Sequence, residues 1–130
     1  MKRAIALRLE DVRLIALIYN QYALLHLESG DVEKAAEMLE KSQTIAEEHS
    51  QLESLCQVHA GWAQYWIAYA RRYPDSISPT HALAKARAAL AKAVEFGEKS
   101  GSTAEIGGDR EIAKARAAIE DFAREHGVEM

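Results

Sequence analysis

The sequence predicts an all-α chain built of antiparallel helical hairpins, on three observations. Apolar residues recur at steps of three and four almost throughout, and no run alternates with a period of two for long enough to suggest a strand. Helix-breaking and capping residues recur between these periodic runs, at Gly30-Asp31, Ser50, Pro74 to Pro79 and Gly107-Gly108. The pattern also repeats, with "AKARAAL" at 84–90 returning as "AKARAAI" at 113–119.

Each element follows from local signals. The first helix is expected from about Leu7 to Ser29, with Val12, Ile15, Tyr19, Tyr22 and His26 as its inward stripe, and Gly30 closes it because glycine accepts the left-handed backbone. Asp31 caps a second helix whose stripe reads Val32, Ala35, Leu39, Ser42 and Ala46. "SQLE" at 50–53 reads as a capping box opening a third helix, with Leu52, Leu55, His59, Trp62, Trp66, Tyr69 and Tyr73 inward and Pro74 as its stop. Ser78 and Pro79 start a fourth helix running to about Ser100 on Leu83, Ala86, Leu90, Ala93 and Val94. Asp109 caps a fifth, carrying Ile112, Ala115, Ile119, Phe122 and Ala123.

At 130 residues the chain reads as one domain, 1–130, divided into a hairpin over 7–50, a hairpin over 50–100 and a closing helix over 109–126. Internal similarity supports that division. "YNQYALLH" at 19–26 aligns with "HAGWAQYW" at 59–66, an offset of 40 from Tyr19 to His59. "EKAAEMLEKSQTIAEE" aligns with "AKARAALAKAVEFGEK" at an offset of 51 from Leu39 to Leu90.

Residues 16–47 resemble a tetratricopeptide repeat. Tyr19 matches the early aromatic, Ala23 the small contact, Gly30-Asp31 the turn, Ala35 the following alanine, Leu39 the large apolar position and Ser42 the last small one. His26 replaces the usual tyrosine, Glu47 stands where a proline would close the repeat, and Ala70-Arg71 replace the Gly-Asp turn in the second unit. The resemblance implies an α-solenoid of about two such repeats plus a C-terminal capping helix, holding a protein or peptide in a groove lined by the first helix of each pair. Carried over by position, that groove contains Leu17, Asn20, Leu24, Leu27 and Glu28, then Gln57, Ala60, Gln64, Ile67 and Ala68. Basic residues that would grip a terminal carboxylate are not grouped there, so a more apolar ligand is expected.

The residues themselves argue for association. Leu14, Leu17, Ile18, Leu24, Leu25 and Leu27 fall outside the stripe that the first hairpin needs, and surplus apolar surface marks partner contacts. The expectation is therefore a non-enzymatic interaction module or scaffold, with a homodimer through the N-terminal helix as one form. A peptide-sensing domain from a larger signalling or transcription-regulating protein, with a pocket among Asn20, Gln57, Gln64 and the aromatic residues, is a second expectation, and a structural homodimer a third.

Other chemistries find little footing. A net charge of −4 and a pI near 5.7 give no positive field for nucleic acid or an anionic membrane. Basic residues of the fourth and fifth helices are interleaved with Glu95, Glu98, Glu111, Glu120 and Asp121, as on a solvated face. The apolar start is broken by Arg8, Glu10, Asp11 and Arg13, which leaves neither a secretory core nor a membrane span. Lone Cys56 fits a reducing, cytoplasmic setting. Five histidines on separate helices offer no paired metal ligands, and Cys56 near His59 reads as core, so no cofactor, metal or catalytic residue is expected.

Overall fold

A computed structural model describes residues 9–100 and 108–128. Among them are five helices and no strand: α1 Leu9–Ser29, α2 Val32–Glu48, α3 Leu52–Arg72, α4 Pro79–Ser100 and α5 Gly108–Glu125. Expected starts at Leu7 and a side-chain cap from Asp109 lie outside the described parts.

Most joints are made as the sequence indicates. Gly30 takes a φ of 87°, and the Asp31 amide donates back to the His26 carbonyl at 2.8 Å, closing α1. The Asp31 carboxylate accepts from the Lys34 amide at 3.2 Å, and Ser78 Oγ accepts from the His81 amide at 3.1 Å. One joint differs. Ser50 does not cap α3; it adopts a φ of 52° and finishes α2, with the Gln51 amide donating to the Ala46 carbonyl at 2.9 Å. Gln51 becomes the N-cap of α3 without a side-chain bond, so the capping box does not form. The chain needed a left-handed residue to leave α2, and Ser50 occupies that position.

Residue pairs fix the directions of the helices. Ser42 Oγ donates to the Ala16 carbonyl at 2.9 Å, joining antiparallel α1 and α2 through a buried bond. Trp62 Nε1 donates to Gln43 Oε1 at 2.8 Å, and the Tyr73 hydroxyl donates to Glu33, which sets α3 antiparallel to α2. His59 stacks on Phe96 and Lys85 lies over the Trp66 ring, so α4 returns along α3. Asn20 against Gly61, and Arg71 paired with Glu125, place α1, α3 and α5 parallel.

Helix α3 packs on each of the other four. The backbones of α1 and α2 do not closely approach those of α4 or α5. The largest core group joins Ala63, Ile67 and Ala70 of α3 to Leu83 and Ala86 of α4 and to Ile119 and Phe122 of α5. A second joins Ala23, Leu39 and Ala46 to Leu55 and Val58.

The expected stripes of α2 and α5 are all buried, and on α4 Leu83, Ala86 and Ala93 are, with Leu90 and Val94 half-buried. Those of α1 and α3 need correction. On α1 the buried residues are Val12, Ala16, Asn20 and Ala23; Ile15, Tyr19 and His26 are half-buried, and Tyr22 is exposed. On α3 the small residues Cys56, Ala60, Gly61, Ala63 and Ala70 go inward, and the aromatic residues stay half-buried. Four neighbours can approach one central helix only over small side chains, and five large rings do not fit between them.

Candidate interaction surface

The inward face of α1 consumes Val12, Ala16, Asn20 and Ala23. Advancing about 100° per residue, the opposite side of the same helix carries Leu14, Leu17, Ile18, Gln21, Tyr22 and Leu25. Leu14 is 55% exposed, Leu17 37%, Ile18 43%, Tyr22 51% and Leu25 58%. No other large apolar side chain among the described residues is so exposed. Among the described residues the helix therefore has two apolar faces and neighbours for one.

The expected groove residues separate by depth. Leu17 and Glu28 are exposed; Leu24, Leu27, Gln64 and Ala68 are half-buried. Asn20, Gln57, Ala60 and Ile67 are buried, so they do not line an open groove. Parallel packing of α1 on α3 closes over Asn20, because Gly61 lets the helices meet: a Cβ there would lie 3.1 Å from Asn20 Oδ1 and 2.7 Å from Leu39 Cδ2. Ile67 is covered instead by α4 and α5, and Ala60 packs with Ala93 and Ile112. Both polar atoms of the Asn20 side chain are buried without a hydrogen-bond partner, as is Gln64 Nε2. Asn20 and Gln57 are buried, and neither lines the cleft over the aromatic residues of α3. The charge pattern near α1 is mixed, with Arg13 exposed toward one end and Glu28 toward the other.

The aromatic row forms a second surface. Trp62, Tyr65, Trp66, Tyr69 and Tyr73 make a continuous series of ring contacts, with centroids 5.1 to 5.9 Å apart. Since the backbones of α2 and α4 do not closely approach, this face of α3 is left open between them. An open cleft of about 420 Å³ is lined by Tyr65, Trp66, Tyr69, Ile77, His81 and Lys85, with Ser76 and Ser78 at its edge. Burial pushes the Tyr65 phenol above its ordinary range, and Tyr69, Glu33, Glu40 and Tyr73 add to the effect. The hydrogen bond to Glu33 pushes Tyr73 up as well. Both hydroxyls thus stay protonated and able to donate. Sequence periodicity assigned Trp62, Trp66, Tyr69 and Tyr73 to the inward stripe and left Tyr65 off it; all five are half-buried.

Among the described residues no group of three or more His, Cys, Asp or Glu stands close enough to hold a metal ion, and no helix is long and apolar enough to cross a membrane. Burial of His59, aided by Lys92 and opposed by Glu47, lowers its pKa, so it is held neutral beside Phe96. Comparison with protein-family models, with curated proteins and with solved structures finds no match to this chain.

Proposed function

We propose that the chain is a non-enzymatic protein-interaction module, a short stack of helical hairpins closed by α5, that holds a helical partner on the outer face of α1. One observation carries this reading: the five exposed large apolar side chains among the described residues gather on the face of α1 that has no neighbour among them. Covering a leucine or isoleucine fully contributes about 1.5 to 3 kcal/mol, so a few such contacts outweigh the cost of association. The stacked arrangement draws support from the parallel α1, α3 and α5 and from the separation of α2 from α4. With Cys56 buried and reduced, a cytoplasmic setting belongs to the same reading.

A second copy of the chain is one partner of the required kind. Leu14, Ile18, Gln21 and Leu25 follow steps of four, three and four, the spacing of a helix-pairing seam. The test is the double substitution Leu14→Glu with Leu25→Glu, followed by light-scattering mass and circular dichroism. A wild-type dimer that the variant converts to a monomer at unchanged helicity assigns the face to self-association. A wild-type monomer that crosslinks from position 18 to another protein, lost in the variant, assigns it to a different partner. A wild-type monomer that crosslinks to nothing in its host overturns the reading.

A further inference from the structure

The cleft that the aromatic row of α3 forms with the 76–78 turn and α4 has a chemistry of its own, independent of the α1 face. Its floor is formed by aromatic residues of α3, and among its polar groups are several donors without an acceptor. Among the described residues nothing accepts from the Trp66 indole N–H or from the Tyr65 and Tyr69 hydroxyls. Lys85, whose ammonium lies 5.0 Å from the Trp66 ring centroid, has donors and no acceptor. A fitting ligand presents flat apolar surface and many hydrogen-bond acceptors, with few donors of its own.

Proline-rich chain in the polyproline II conformation has these properties. Its carbonyls project outward without internal hydrogen bonds, its prolines lack an N–H, and their rings pack on aromatic side chains. Length agrees too. From Trp62 to Tyr73 the row extends about 16 Å at the helical rise, which about five residues of polyproline II cover. Charge narrows the choice further. On the α2 side of the aromatic row stand Glu33, bound by Tyr73, and Glu40, both near enough to Tyr65 to act on its phenol; Glu40 forms no ion pair with any described residue. An Arg or Lys on the ligand would meet Glu40.

We infer that the aromatic row of α3, with the cleft it forms against α4, is a binding site for a proline-rich segment carrying a basic side chain, its carbonyls accepting from Trp66, Tyr69 and Lys85. The ligand lies along α3, with its rings on Tyr65 and Tyr69 and its cation toward Glu40.

Titration of the intact protein with a decamer of prolines bearing one central arginine, followed by tryptophan fluorescence and calorimetry, tests the assignment. Saturable 1:1 binding is expected, and a Gly-Ser decamer with the same arginine should not bind. Trp66→Phe keeps the ring and removes the donor, so affinity should fall about fivefold, the cost of one hydrogen bond. Glu40→Lys, on an exposed side chain, should leave the fold intact and reverse preference in favour of a decamer with aspartate in place of arginine. Equal affinity for the proline and Gly-Ser peptides, no binding of either, or unchanged affinity in both variants overturns the assignment. The Leu14→Glu, Leu25→Glu protein should bind the decamer like wild type, which separates this site from the α1 face.

Discussion

Gly61 shows how one missing methyl group positions two helices. Any Cβ at this position collides with Leu39, which is wholly buried, and crowds Asn20. Gly61→Ala gains helix propensity of about 1 kcal/mol but overpacks the junction at a cost of about 1 to 3 kcal/mol. The two effects separate in a double-mutant cycle. Leu39→Ala alone should cost about 2 to 5 kcal/mol, and adding Gly61→Ala to it should stabilise, which urea denaturation of the four proteins would measure. Equal effects of Gly61→Ala in both backgrounds would remove the close contact as the cause. His59 supplies a pH signature. Its folded pKa lies below its unfolded value of 6.5, so the unfolded state takes up the proton first. Its contribution is present above 6.5 and is lost as pH falls from there through the folded pKa. The melting temperature of His59→Phe, which keeps a ring beside Phe96, should fall less than that of wild type between pH 7.5 and 5.

At the scale of the element, the Ser50 turn and the two apolar helices carry the lessons. A serine held at positive φ is strained, and Ser50→Gly should stabilise the protein by about 0.5 to 1 kcal/mol by relieving that strain at the end of α2. No gain in the denaturation midpoint would mean that the serine is comfortable there. The inward faces of α2 and α5 were legible because polar residues leave each helix a single apolar stripe. Helix α1 is apolar nearly all round, so its period admits two faces, and the sequence alone favoured Tyr19 and Tyr22 over Ala16 and Asn20. Its surplus leucines were nonetheless visible, and Leu14, Ile18 and Leu25 are among the exposed ones. On α3 size overrode hydrophobicity: the rings that look like core are too large for a helix with four neighbours. Asn20 was expected on an open groove for the related reason that nothing local reveals how tightly Gly61 draws α1 onto α3, and Ile67 because nothing local reveals that α4 and α5 cover it.

For the molecule as a whole, α3 is the common support. The hairpin of α1 and α2 is attached chiefly through α3, whereas α3, α4 and α5 all pack on one another. Hydrogen exchange should therefore show the strongest protection in α3 with α4 and α5, and earlier opening of α1 with its burial of an unpartnered amide. Uniform protection across all five helices would count against such a division. The exposed Arg71–Glu125 pair, at 3.0 Å, adds little; Arg71→Ala should cost under about 1 kcal/mol.

The two flanks of this architecture are unequal. The outward side of α1 is leucine-rich, whereas that of α5 presents Lys114, Arg116, Asp121 and Arg124 to solvent. A stack with adhesive surface on both flanks would grow head to tail into a fibre. With only one, copies that meet through α1 use the same patch on each side, the contact is closed by a two-fold axis, and assembly stops at a pair.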